Sequence, residues 1–208
     1  MEETNDILSK TVREFTAAVA DKTPTPGGGS VAGVVGALAV ALGEMTLNFT
    51  RGKKKFAAYE QAHAHMAGRL ERSRRLFLEL VSDDIAAYSL YRDAAAMSDG
   101  PAKIEAMQLA LAAAINVPME MSKLTLAAMQ DMLDLSDNCN TYLISDLVAA
   151  ATLGLATVQL CDYNVRINAP QLADQAAATE LRQVSASGVT RAREMQAAIE
   201  KIAAPQLG

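Results

Sequence analysis

The sequence predicts an all-α protein of about six helices. Forty of the 208 residues are Ala, aromatics make up 4% with no Trp, and no segment keeps a strand-like alternation. Ala is the best helix former, and an antiparallel sandwich needs the β-branched and aromatic residues that are scarce here. Half the chain is hydrophobic, enough for one core, so residues 1–208 are read as a single helical domain. The first helix is expected over 5–20, capped by Thr4 or Asn5, with Leu8, Thr11, Val12, Phe15 and Val19 on one face. The loop 21–29 (DKTPTPGGG) follows. Ser30 is the expected N-cap of a helix over 30–49. Gly29, Gly33, Gly36 and Gly43 lie near one face of that helix, with Ala32, Ala37, Ala39 and Ala41 beside them. Each interior Gly costs about 1 kcal/mol relative to Ala, so something is expected to approach this backbone closely, which places the helix at the centre of the fold.

Residues 56–97 read as one long helical stretch, expected to bend, with Leu70, Phe77, Leu80, Val81, Ile85, Tyr88 and Tyr91 as its apolar stripe. Asp99-Gly100-Pro101 is a turn with Pro at a helix start. Pro118 is expected to kink or break the next helix, which continues to Leu135. A polar stretch, 136–140, precedes a nearly charge-free helix opened by Thr141 or Ser145 and closed near Asn164. Asn168-Ala169-Pro170 is a break, and a last amphipathic helix fills 171–202.

The net charge of −5 argues against a dedicated nucleic-acid binder, which needs a positive surface. The polar, acidic start MEETNDILSK is not a signal peptide. The apolar stretches around 33–43 and 147–160 are interrupted or bounded by polar residues and are not expected to span a membrane, which takes about 20 apolar residues. Cys139 and Cys161 have no CxxC spacing, so no disulfide is expected and a reducing, cytoplasmic setting is the simpler reading.

Five groupings stand out chemically. Pro26-Gly27-Gly28-Gly29-Ser30 is a glycine-rich loop entering a helix N-terminus. It reads either as a tight turn with a serine cap or as a cradle for an anion or carbonyl oxygen. It lacks the Gly-Lys-Ser/Thr of a Walker loop, and Ala32 stands at the third glycine position of a dinucleotide fingerprint. Arg51, Lys53, Lys54 and Lys55 form a basic knot, either a solvated helix start or a grip for a carboxylate or phosphate. Asp83 and Asp84 interrupt an apolar run, and Asp84 pairs at i, i+4 with Tyr88. A carboxylate on an apolar face can have a raised pKa and act as acid or base; otherwise one Asp faces water and the other caps or pairs locally. Asn138, Asn140, Ser145 and Asp146 open the charge-free helix, and Asn164 and Asn168 close it around Arg166. His63 and His65 point to opposite sides of a helix and are expected at the surface, so no metal site is proposed.

Taken together, these segments resemble the cyclodeaminase/cyclohydrolase family of tetrahydrofolate enzymes. The resemblance is carried by TPTPGGGS at 23–30, GKKK at 52–55, Asp84-Ile85-Ala86-Ala87-Tyr88 and AINVP at 114–118. It continues through Asn140, Ser145-Asp146-Leu147, NVRIN at 164–168, and Asp174. It runs in order over about 23–174, and departs from the family pattern at Met97-Ser98-Asp99-Gly100-Pro101, where a Leu-Pro-Lys is common.

The resemblance implies an all-α dimer, or a multiple of one, holding folate in a cleft. The substrate is a tetrahydrofolate derivative, and no cofactor beyond it and no metal is implied. Gly27, Gly28, Gly29, Ser30, Lys53, Lys54, Lys55, Tyr88, Asn140, Ser145, Asn164 and Asn168 would bind it, the lysines taking its glutamate tail. Asp84 and Asp146 would be the acid/base pair in one cleft, because both match family positions in apolar surroundings. The leading expectation is hydrolysis of 5,10-methenyltetrahydrofolate to a formyltetrahydrofolate, since no transferase domain is attached. The alternatives are a formiminotetrahydrofolate cyclodeaminase, which releases ammonia, and a non-catalytic helical dimer that binds folate or an anion.

Overall fold

The computed structural model describes residues 7–207, and every regular element among them is helical. Six α-helices follow in order: α1 (Val12–Ala20), α2 (Gly28–Asn48), α3 (Glu60–Ala95), α4 (Pro101–Ser136), α5 (Ile144–Asn168) and α6 (Gln175–Leu207). Short 3-10 turns cover Ile7–Ser9, Lys54–Tyr59, Thr141–Leu143 and Ala169–Gln171.

The expected cap at Thr4 or Asn5 lies outside the described residues. A break at Lys10 and Thr11 divides the first expected helix, and Thr11 caps α1 in a capping box. Its hydroxyl accepts the Glu14 N–H at 3.2 Å while Glu14 accepts the Thr11 N–H at 2.8 Å. The apolar face expected for this helix is not buried: no residue of α1 is, and Val12 is 82% exposed. Ser30 is not the cap of α2. The helix begins two residues earlier with Gly27 as N-cap, which leaves Ser30 inside the first turn.

α4 runs through Pro118 without ending. Losing one N–H bond costs a helix interior about 3 kcal/mol. Here Pro118 and its neighbours Ile115, Met119 and Met121 are all buried, and that packing holds the helix across the gap. α5 also outruns its expected end, reaching Asn168 before the turn at Pro170. Asp174 opens α6 by accepting the N–H groups of Ala176 and Ala177, each at 3.0 Å.

α2 is the central helix, packed chiefly between α3 and α5, while α4 backs α3, α5 and α6. Its glycine face meets α3 in antiparallel order. A Cβ on Gly29 would lie on the Asp84 carboxylate, one on Gly33 would sit 2.6 Å from Val81 Cγ2, and one on Gly36 would enter the Phe77 ring. Further along, Gly43 of α2 and Gly154 of α5 make similar room for Met132 and Met129 of α4. Arg74 of α3 bonds Glu44 of α2 at 2.7 Å, and Arg69 of α3 grips the buried Asp131 of α4 with two nitrogens. α2 and the segment 141–171 are, contrary to the sequence reading, long and apolar enough by length and composition to cross a membrane. In the fold they pack on each other as core helices.

The glycine face sets opposite expectations for two substitutions. Gly36→Val overpacks against Phe77, which is fully buried, and should destabilise by about 1–3 kcal/mol. Gly68→Ala, on a part-exposed turn of α3 where a Cβ meets nothing closer than an Arg72 nitrogen at 3.4 Å, should stabilise by about 0.5–1 kcal/mol. Urea unfolding of the two variants checks both signs.

Candidate functional site

The N-terminus of α2 presents backbone N–H groups that have no partner within the helix. The group that meets them is a side chain of the protein itself. Ser30 Oγ donates to Asp84 Oδ2 at 2.7 Å, and the Ser30 backbone N–H also stabilises the charged carboxylate. Asp84 thus caps α2 from the middle of α3, and Gly29 is a glycine because the carboxylate lies against its Cα. The glycine segment is therefore a cradle for an anion, as one sequence reading held, but the anion is built in. Gly28 faces open space, while Gly29 and Ser30 are buried behind the carboxylate.

Asp84 is half-buried. Burial pushes its carboxyl above the usual Asp value, against the opposing pull of the Ser30 hydroxyl and backbone N–H. Cys161 of α5 stands behind it, fully buried, its thiol pushed up to about 12 by burial and by the Asp84 charge. In front of it opens a cleft of about 220 Å³ lined by Asp84, Ala87, Tyr88 and Tyr91 of α3, Ala114 of α4, Asn164 and Asn168 of α5, and Gln171. The helical periods bring these together: Asp84, Tyr88 and Tyr91 recur at i, i+4 and i+7, and Asn164, Asn168 and Gln171 do the same. The Ala114 carbonyl has lost its helical donor, because Pro118 four residues on has no N–H. Asp83 turns away and lines a separate groove between α3 and α4 with Glu79, Glu120 and Lys123.

The other expected site residues lie elsewhere. α5 runs antiparallel to α2, so Asp146 and Ser145 sit at its far end, about 27 Å along the axis from Asn164. Asp84 and Asp146 of one chain do not share a cleft. Asn140 is a structural clamp: its backbone N–H donates to Thr50 Oγ1 at 2.9 Å, its Nδ2 to the Phe49 carbonyl at 3.3 Å, and its Oδ1 accepts the Tyr142 N–H. Lys53, Lys54 and Lys55 are exposed at this same far end, beside Arg51, which pairs loosely with Glu60 at 3.9 Å. His63 is buried there, not at the surface as expected. Its Nε2 bonds Asn138 Oδ1 at 2.8 Å, and its ring stacks on Tyr59. Among the described residues no cluster of three or more His, Cys, Asp or Glu side chains is arranged to hold a metal ion.

Tyr91, Ala87, Ala114 and Gln171 were not among the sequence-derived site residues. Tyr91 could have been found two turns beyond Asp84 on the same face. Gln171 follows a helix end that the sequence placed too early.

The all-α fold thus presents a partly desolvated carboxylate at a helix terminus, facing tyrosines and amides across a cleft of a size for a small polar molecule. The family model described as formiminotransferase-cyclodeaminase matches residues 11–187, and the chain belongs to that family. It is 29% identical to the methenyltetrahydrofolate cyclohydrolase of Methylorubrum extorquens over 83% of this chain and 85% of that protein. It is 31% identical to the formimidoyltransferase-cyclodeaminase of Dictyostelium discoideum over 69% of this chain but 27% of that longer protein. The crystal structure of formiminotetrahydrofolate cyclodeaminase from Thermotoga maritima superposes with a TM-score of 0.90, at 28% identity, covering 97% of this chain and all of that one.

The raised pKa carries a stability consequence. A carboxyl raised in the folded state binds more protons there than in the unfolded chain, so it favours folding below its ordinary value and loses that contribution as pH rises through the folded pKa. Asp84→Asn, which keeps the shape and can still accept from Ser30, should therefore be more stable than the parent at pH 7. Its advantage should vanish as pH falls toward 4. Thermal unfolding across that range reads the sign.

Proposed function

We propose that this protein is a tetrahydrofolate one-carbon enzyme that hydrolyses 5,10-methenyltetrahydrofolate to a formyltetrahydrofolate. The observation that carries the reading is the half-buried Asp84 carboxylate at the cleft wall, its ionised form held at the N-terminus of α2. The likeness to the Methylorubrum cyclohydrolase over most of both chains supports it. The methenyl bridge is a cation, and a desolvated carboxylate with no cationic partner is stabilised when that cation arrives. Asp84 takes a proton as water adds to the bridging carbon. One carbon–nitrogen bond then breaks as the added hydroxyl gives up its proton and the leaving nitrogen takes one up, so the carbon remains as a formyl group and the proton held by Asp84 is released to water. Tyr88, Asn164 and Asn168 supply polar contacts to the ring system, and the Ala114 carbonyl, which lacks its i+4 helical donor, can accept from one of its N–H groups.

The protein works as a homodimer in this reading. α2 exposes Leu38 and α5 exposes Tyr163 and Ile167, in helices that are otherwise apolar. A second copy packed across this face on a twofold axis would reverse the ends. Its Lys53–Lys55 knot and Asp146 would then come to the Asp84 cleft, the lysines suiting the glutamate tail. The two free, buried cysteines suit a reducing compartment. The second reading is cyclodeaminase activity, favoured by the likeness to the Thermotoga structure; there the Asp84 carboxyl would protonate departing ammonia.

Assay of the purified protein with methenyl- and formiminotetrahydrofolate side by side decides between the two reactions. Asp84→Asn should lower turnover about 100-fold or more with much less effect on binding. Full turnover of both substrates by that variant would refute the mechanism.

The dimer makes its own prediction. Leu38→Arg should give monomers in sedimentation and abolish activity. If Asp146 of the partner completes the cleft, Asp146→Asn alone should also be inactive. Mixing it with Asp84→Asn should then restore about a quarter of parental activity, since half the random dimers hold one intact site of two. No recovery from two folded, dimeric variants would place the complete site within one chain.

A further inference from the structure

Ser30 reads from sequence as a helix cap or as a ligand contact, and in the fold it is not the N-cap of α2, which is Gly27. Ser30 is 0% exposed and inside the first turn of α2, so substrate cannot reach its side chain. Its hydroxyl donates to Asp84 Oδ2 at 2.7 Å across 54 residues of sequence. Gly29, one residue earlier, makes the opposite contribution: it lacks the Cβ that would occupy the place of the carboxylate. One residue opens the space and the next ties down what enters it.

Resting on the reading of Asp84 as the acid/base group, we propose that Ser30 is a positioning residue that fixes the orientation and protonation state of that carboxylate and itself contacts no substrate. An ionised carboxylate has about four acceptor sites. Two donors from Ser30 occupy the side toward α2, and the carboxylate lines the cleft with the remainder. Without this tie the side chain is free to rotate about Cα–Cβ, and a misplacement of about 1 Å at a reacting group costs up to about 100-fold in rate.

The same tie acts on titration. Burial raises the Asp84 pKa, and the Ser30 hydroxyl and backbone N–H lower it again. Among the described residues no Lys, Arg or His is near enough to join them. The ionisable neighbours are Cys161 from α5, whose thiol stays protonated at neutral pH, and Tyr88 and Tyr91 from the same helix. α4 contributes Ala114 and no charge. Among the described residues Ser30 is therefore the one side chain that opposes desolvation of this carboxylate. Removing it should shift the folded pKa upward, so that a base required in its ionised form becomes active only at higher pH.

The test uses the full-length protein with 5,10-methenyltetrahydrofolate and three variants: Ser30→Ala, Ser30→Cys and Asp84→Asn. Ser30→Ala should lower kcat about 10-fold or more and leave KM within about twofold. It should move the acid limb of the kcat profile to higher pH. The Asp84 carboxyl carbon, observed by 13C NMR with labelled Asp and assigned by its absence in Asp84→Asn, should titrate at higher pH than in the parent. Ser30→Cys, nearly isosteric with a weaker donor, should fall between the parent and Ser30→Ala; it carries the same measurements if the Ala variant does not fold. An unchanged pH profile and an unchanged carboxyl titration in a folded Ser30 variant would overturn the proposal. So would a large rise in KM with kcat unchanged, because that is the signature of a binding contact. Full activity of Asp84→Asn would instead overturn the catalytic reading of Asp84, and the NMR titration would still report whether Ser30 governs its carboxyl.

Discussion

The closeness of α2 to α3 is the constraint on which the rest depends. Gly29, Gly33 and Gly36 lie along one face of α2 and receive Asp84, Val81 and Phe77 of α3 in reverse order. At each of the three a Cβ would overlap the side chain opposite. The backbone entropy lost at three glycines inside a helix is offset by the burial of Phe77 and Val81 and by the approach itself, which lets side chains of α3 touch the α2 backbone. Two positions of this contact are ordinary core. The third, at the end, is polar, and its carboxylate lines the cleft.

That placement explains how a carboxylate comes to sit in a largely apolar bundle. A helix N-terminus supplies oriented donors without any cationic side chain, so the charged form of Asp84 gains support while, among the described residues, the cleft in front of it is lined by no Lys or Arg. A lysine or arginine partner would satisfy the carboxylate more fully and would also compete with a cationic substrate. Burial, which raises the Asp84 pKa, and the Ser30 contacts, which lower it, together set how readily the group ionises. Cys161, pushed to about 12, remains a neutral thiol behind it and closes the apolar side of the site.

The far end of the α2–α5 pair has a different character. There Asn140 ties the start of α5 to the end of α2 through Thr50 and Phe49, and His63 with Asn138 ties α3 to the turn after α4. These amides look like ligand contacts in sequence because they are polar residues beside an apolar helix, but their hydrogen bonds are already used within the chain. The lysines beside them are exposed and uncommitted to ion pairs shorter than 4.0 Å. The motif residues thus divide into two groups at opposite ends of antiparallel helices, an arrangement in which a twofold partner can complete what one chain leaves apart.

The helical class, the number of helices and the central place of α2 were all legible in the sequence. They rest on local quantities: Ala content, the 3.6-residue period, and glycines whose cost inside a helix demands a reason. Which side chain met those glycines was not legible, because Gly29 and Asp84 are 55 residues apart and nothing local to either names the other. Pro118 reads as a kink or a break because an isolated helix would bend or end there; tertiary burial on both sides keeps α4 continuous through it. His63 reads as a surface residue because it and His65 point to opposite sides of a helix and cannot share a metal, and only the packed fold supplies the Asn138 and Tyr59 that accommodate it. The separation of Asp84 from Asp146 within one chain was hidden for the same reason: sequence order shows that two residues belong to one helical protein, but the antiparallel course of α2 and α5 decides at which end each one lies.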